Sequence, residues 1–257
     1  MKYGICPLSI VPVRREASDT SEQVTQLLFG ETYRILRETK KWVRIETAFD
    51  RYEGWIDAKQ SRDISEEEYS QLNEHPNIVT TDLVDVVIHE ESNRMMPIVM
   101  GSTLPDYQDG RLTLAGERYR YEGAISSTDS PKEQLVENAF MYLRAPYLWG
   151  GRSPFGIDCS GFTQLVYKMN GFRLYRDASQ QATQGEVLSF IEETEPGDLA
   201  FFDNAEGVIT HVGIILEENR IIHASGQVRV DRLNQQGIFN AEVRTHTHKL
   251  RLIKKVI

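Results

Sequence analysis

Three residues have the types and surroundings that nucleophilic catalysis requires: Cys159, His211 and His223. A free thiol, with a pKa of roughly 8.5, is only a few per cent thiolate at neutral pH, so a reactive cysteine needs a helix N-terminus or an imidazole nearby. Cys159 opens the run Asp158-Cys159-Ser160-Gly161-Phe162, which leads into an amphipathic helical pattern. The unpaired amides and dipole at such a helix start favour an anion. His211 and His223 lie on consecutive strand-like runs joined by Glu217-Glu218-Asn219-Arg220. If the loop is residues 217–219, with Asn219 in the left-handed conformation, Leu216 pairs with Arg220 and Gly213 faces His223. His211 is then diagonal to His223 on the same face, within reach of a long side chain. A four-residue loop would instead send the two imidazoles to opposite faces. The three-residue register predicts Cys159 as nucleophile, His211 as general base and His223 as the group that orients the base.

The elements that must position these groups are legible around them. Ser130-Pro131-Lys132-Glu133 reads as a capping box that starts a helix, with Leu135, Val136, Ala139, Phe140 and Leu143 as its buried stripe. The cysteine helix presents Phe162, Leu165, Val166 and Met169, and Gly171 stops it. Strand-like runs follow at residues 199–202, 212–216, 221–224, 228–231 and 250–256. Helices followed by antiparallel strands predict an α+β unit over residues 129–257.

Ahead of it, short β-rich runs at residues 10–13, 22–28, 32–37, 42–47 and 54–56 predict a small all-β barrel over residues 1–60. The apolar stretch from Gly4 to Val13 reads as its first strand. Ser65 caps a short, charge-dense helix in a linker at 61–77, and weaker strand patterning over 78–128 suggests a second, degenerate barrel.

Composition removes other classes. The chain has 257 residues, 29 Lys plus Arg against 38 Asp plus Glu, and a formal net charge of -9. Without clustered cations, nucleic acid and anionic membranes are not expected partners. No apolar run approaches the ~18 residues of a membrane span. Only two cysteines are present, which makes no disulfide framework. Cys6 follows Tyr3-Gly4-Ile5, which is not a lipobox, and reads as a small buried hydrophobe. A cytoplasmic location is expected, or a periplasmic or secreted one if a leader precedes this sequence. His75, His89, His246 and His248 have no partner pattern, and His246-x-His248 lacks the cysteine pair or carboxylate frame of a zinc site. No metal or cofactor is expected.

Residues 129–257 resemble the NlpC/p60 cell-wall cysteine peptidases, which have a papain-like α+β fold. The matching stretches are Pro146-Tyr147-Leu148-Trp149-Gly150-Gly151, Asp158-Cys159-Ser160-Gly161-Phe162, Arg176-Asp177-Ala178-Ser179-Gln180-Gln181, Pro196-Gly197-Asp198-Leu199, His211-Val212-Gly213-Ile214 and Ile222-His223-Ala224-Ser225. Residues 1–60 resemble bacterial SH3-like domains through Val13-Arg14-Arg15-Glu16-Ala17-Ser18, Phe29-Gly30-Glu31, Lys41-Trp42-Val43-Arg44-Ile45 and Tyr52-Glu53-Gly54-Trp55-Ile56. The resemblance implies Cys159, His211 and His223 as catalytic residues, with Tyr147 near the oxyanion. The whole arrangement is similar to γ-D-glutamyl-L-diamino acid endopeptidases that act on peptidoglycan stem peptides with a free L-alanine amine. That similarity implies Ser160, Arg176 and Ser179 at the glutamate carboxylate, and Asp158, Glu16 and Tyr52 at the amine. A monomer that takes a muropeptide is expected, with diaminopimelate and lysine both open as the diamino acid, and a cytoplasmic location would favour recycling of free peptides. The alternatives are an SH3-like peptide-binding protein without catalysis and a thiol acyltransferase on the same fold.

Overall fold

The computed structural model describes residues 1–74, 78–126 and 132–257, the side chain of Glu133 excepted. His75 and the Ser130-Pro131-Glu133 part of the expected capping box lie outside the described residues. The chain divides into two compact units, Met1–Asp129 with Trp149–Pro154, and Ser130–Leu148 with Phe155–Ile257.

The first unit opens with an all-β, SH3-like region. Its strands are β1 (Lys2–Ile5), β2 (Ile10–Arg14), β3 (Gln23–Leu28), β4 (Thr32–Glu38), β5 (Trp42–Thr47), β6 (Glu53–Asp57) and β7 (Arg62–Ile64), in the sheet order β3-β2-β6-β5-β4-β1-β7. The stretch expected as a single first strand is two, β1 and β2. Pro7 falls between them, where the missing N–H breaks a ladder. On β5, Val43, Ile45 and Thr47 point inward, the alternation of a half-buried strand. Cys6, fully buried, packs with Val11, Val13, Leu27, Tyr33 and Ile45.

The helix α1 (Glu66–Glu74) begins at Ser65, whose hydroxyl accepts the Glu68 N–H at 3.0 Å. It is anchored rather than solvated all round, because Leu72 is buried and Tyr69 stacks on Tyr3 at 4.3 Å between ring centroids. Beyond it, β8 (Val84–His89), β9 (Met95–Val99), β10 (Arg111–Leu114) and β11 (Glu117–Arg120) form an antiparallel sheet, β10-β11-β8-β9. Its Val87, Ile98, Leu112 and Leu114 share one apolar cluster with Ile5, Phe29 and Ile64, so the two sheets are built on common core residues.

The segment Trp149–Pro154, including β12 (Arg152–Ser153), belongs to this first unit. Arg152 is 3% exposed and donates to both carboxylate oxygens of Glu31 at 2.8 and 2.9 Å. Trp149 Nε1 donates to Glu22 at 2.7 Å. Gly150 has φ +72°, and a Cβ there would meet the Gln23 carbonyl oxygen at 2.4 Å. The glycine therefore serves a close approach to β3.

The second unit begins with α2 (Lys132–Met141). Leu135, Asn138 and Ala139 make its buried face, which Tyr142 continues just past the helix end, whereas Phe140 and Leu143 are 42% and 44% exposed. The expected stripe is corrected accordingly. The buried set follows the i, i+3, i+4, i+7 rule, and Phe140 and Leu143 are each one residue out of that phase. After β13 (Gly156–Ile157), α3 (Cys159–Met169) is buried at every residue, and Asn170 and the positive-φ Gly171 terminate it. Tyr142 packs edge-on against Phe162, which ties α2 to α3.

The short α4 (Ala178–Gln181) precedes β14 (Glu186–Leu188), β15 (Leu199–Asp203), β16 (Ile209–Leu216), β17 (Arg220–Ser225), β18 (Gln227–Asn234), β19 (Gly237–Asn240) and β20 (Thr245–Lys255). The order is β14-β20-β15-β16-β17-β18-β19, and β19 also pairs with β20, so β15 to β20 close into a barrel. Ala200, Phe202, Ile215, Ile221, Leu233, Ile238 and Ile253 fill one cluster from these strands. Helices first and antiparallel strands afterwards give the α+β class read from the sequence. No described helix is long and apolar enough to cross a membrane.

Candidate active site

The hairpin that carries the two histidines has the register expected of a three-residue loop. Leu216 pairs with Arg220 and Gly213 with His223, and both Glu218 and Asn219 have positive φ, 58° and 53°. His211 and His223 therefore share the face of Ile215 and Ile221, residues of the barrel cluster. His211 Nε2 lies 2.8 Å from His223 Nδ1, with the rings at 86°. Gly213 makes room for this, since a Cβ there would meet His223 Cβ at 2.8 Å.

Two further side chains join the histidines. Asp231 lies opposite Ile221, which places it diagonal to His223 on the same face. Its Oδ2 is 3.1 Å from His223 Nε2, and it is ion-paired with Arg229 through Nε–Oδ2 at 2.7 Å and Nη2–Oδ1 at 3.1 Å. His248, read from the sequence as lacking a partner, stacks on His211 at 4.1 Å and 25°. The β17–β18 turn carried a signal for Asp231. Pairing Ser225 with Gln227 across Gly226 sets Arg229 opposite His223 and Asp231 two residues on. His248 had no such signal, because β20 reaches the strands that carry the site by pairing with β15, which is distant from it in the chain.

Burial explains the charge states. It pushes His211 well below the usual histidine range, with the positive charges of His223 and His248 acting in the same direction. His223 is also lowered by burial, against the opposing pull of Asp231. Burial raises the Asp231 carboxyl, but hydrogen bonds from His223 and Arg229 outweigh it and leave the group below its ordinary value. His248 is lowered to about 4, chiefly by burial.

Cys159 begins α3, and Asp158 is its N-cap, accepting the Gly161 N–H at 2.7 Å. Here the expectation from the helix start meets a stronger effect. Burial, then the Asp158 charge, pushes the Cys159 thiol up to about 12, while the amides of Val212 and Ser160 and the Arg176 charge oppose them. The amide of Val212 follows His211 in the chain, and α3 packs on β16. Tyr147 is half-buried, and burial, with the Cys159 and Asp158 charges, raises its phenol to about 12, so it is a hydrogen-bond donor at neutral pH.

Asp158 and Arg176, expected at opposite ends of a ligand, are each other's partners. Arg176 Nη1 donates to Asp158 Oδ1 at 3.0 Å and to Ser160 Oγ at 2.9 Å, and Nη2 donates to Asp158 Oδ2 at 2.6 Å. The guanidinium is 1% exposed and Asp158 4%. Gln181 of α4 fixes the approach of this segment by donating to the Ser160 and Tyr175 carbonyls at 2.9 and 2.8 Å. Ser179, on the same helix, is exposed. Glu16 and Tyr52 belong to the first unit. Glu16 is exposed, and Tyr52 is half-buried with its N–H donating to Thr47 Oγ1 at 2.9 Å. Among the described residues, no group of three His, Cys, Asp or Glu side chains is placed to hold a metal ion.

Residues 144–247 match the NlpC/P60 family and residues 13–60 the bacterial dipeptidyl-peptidase SH3 domain. The chain is 28% identical over 217 residues to a γ-D-glutamyl-L-lysine dipeptidyl-peptidase of Bacillus subtilis, covering 78% of this chain and 71% of the relative. It is 25% identical over 248 residues to dipeptidyl-peptidase 6 of Lysinibacillus sphaericus, covering 84% and 86%. A solved NlpC/P60 family protein from Bacillus cereus has a similar fold over 99% of both chains, with a TM-score of 0.81 at 19% identity. The chain therefore carries a bacterial SH3 domain ahead of a domain of the NlpC/P60 cysteine peptidase family.

Proposed function

We propose that the protein hydrolyses the bond between the γ-carboxyl of D-glutamate and a diamino acid in peptidoglycan stem peptides that begin with a free L-alanine. The observation that carries this reading is the buried His211–His223 contact at 2.8 Å, in the same unit as a thiol at a helix start. The similarity to two dipeptidyl-peptidases, which extends well beyond the NlpC/P60 match, supports the substrate class.

In this mechanism the resting pair is neutral, since burial disfavours both the thiolate and the imidazolium. Cys159 attacks the γ-glutamyl carbonyl as its proton passes to His211. The Tyr147 phenol and backbone amides at the start of α3 hold the oxyanion. His211 then protonates the departing amine, and water activated by the same imidazole hydrolyses the thioester. Arg176 acts by positioning, through its bonds to Asp158 and Ser160 on either side of the nucleophile.

The test is to incubate the protein with L-Ala-γ-D-Glu-L-Lys, its meso-diaminopimelate counterpart, their N-acetylated forms and intact peptidoglycan. Release of L-Ala-γ-D-Glu from the free tripeptides, with the acetylated forms and the intact wall resistant, is expected. Absence of dipeptide from every free tripeptide overturns the reading.

A further inference from the structure

We infer that Asp231 is a positioning residue that selects the tautomers of His223 and His211, leaving His211 Nδ1 bare to receive the thiol proton. The inference rests on the reading of Cys159 and His211 as nucleophile and base. It follows from counting hydrogens along the buried line Asp231 Oδ2, His223 Nε2, His223 Nδ1 and His211 Nε2, whose gaps are 3.1 and 2.8 Å.

A carboxylate only accepts, and both oxygens of Asp231 already face Arg229 donors. His223 must then carry its proton on Nε2. Its Nδ1 is left as an acceptor, which requires the proton of neutral His211 to sit on Nε2. The remaining lone pair of His211 is on Nδ1, the nitrogen turned away from His223. In the opposite arrangement His223 donates from Nδ1, two acceptors face each other at 3.1 Å, and His211 holds its proton on Nδ1. That second form cannot accept a proton at Nδ1. Arg229 strengthens the selection by keeping Asp231 ionised, and Glu242 in turn accepts from Arg229 at 3.1 Å.

The rival reading gives Asp231 a structural role alone, as an ion pair with Arg229 on the same strand. Nitrogen NMR of histidine-labelled, full-length protein separates the two, because protonated and bare ring nitrogens have distinct shifts. The expected spectrum has His211 and His223 both protonated on Nε2. In Asp231→Leu both tautomers are expected, with kcat on the free tripeptide down roughly 10- to 100-fold and KM near that of the parent. A parent spectrum with the His211 proton on Nδ1 overturns the inference, as does a folded Asp231→Leu variant with unchanged tautomers and kcat. Should Asp231→Leu fail to fold, the parent spectrum decides alone. Cleavage that survives Cys159→Ala would remove the nucleophile reading while leaving the tautomer assignment standing, so the two failures are distinguishable.

Discussion

Replacing Gly213 with alanine tests the packing that holds the two histidines together. The new methyl would lie 2.8 Å from His223 Cβ and 2.8 and 2.9 Å from the Cδ1 and Cγ1 of Ile221, whereas ordinary contact begins at 3.4 Å. Ile221 can give way by a side-chain rotation. His223 Cβ cannot, because it is fixed to β17 directly opposite Gly213. Relief therefore requires a shift of about 0.6 Å, the difference between those contact distances, and if it runs along the His211–His223 bond the 2.8 Å contact lengthens to about 3.4 Å. A hydrogen bond to a charged imidazolium contributes about 1.5–3 kcal/mol. At 1.36 kcal/mol per tenfold, its loss slows kcat by about 10- to 150-fold. Overpacking should also lower stability by about 1–3 kcal/mol. Amine release from the free tripeptide gives kcat and KM, and urea unfolding gives the stability. A folded Gly213→Ala variant with the parent kcat would refute the reasoning.

Four other outcomes are expected. Arg176→Ala leaves the Asp158 carboxylate buried without its guanidinium, so urea unfolding should show a loss of about 3–5 kcal/mol. Lowering the pH from 6.5 toward 4 should reduce the melting temperature, because His211, His223 and His248 have folded pKa values below the unfolded 6.5 and the unfolded chain takes up protons first. Replacing His248 with phenylalanine should flatten that slope, measured by calorimetry across the same window, and an unchanged slope would exclude His248 as a contributor. Gly237→Ala should destabilise the barrel, since a Cβ there would meet the His248 carbonyl oxygen at 1.8 Å, and a thermal melt reads the loss.

What could be read from the sequence was local or set by short-range register. The helix start at Cys159 follows from apolar spacing, and the facing histidines follow from the length of one loop. Both depend on residues within about a dozen positions of one another. The Asp158–Arg176 pair was not legible, because recognition motifs name the residues around a ligand without saying which satisfy each other. In a buried site a carboxylate and a guanidinium that can meet do so. His248 was invisible because the closing of the barrel through β20 is a long-range event. Phe140 and Leu143 fit a helical spacing of apolar residues, but a one-residue phase on the helix decides which side is buried, and both are exposed.

The central claim is that the Cys159 thiol forms a bond to the γ-glutamyl carbonyl. Mixing the protein with excess L-Ala-γ-D-Glu-L-Lys, quenching with acid during turnover and sequencing the peptides by mass spectrometry tests it directly. The expected result is an L-Ala-γ-D-Glu acyl group on the peptide bearing Cys159, absent in Cys159→Ala, which should also release no dipeptide. Dipeptide release by Cys159→Ala at the parent rate, with Cys159 unmodified in the parent protein, would contradict the account.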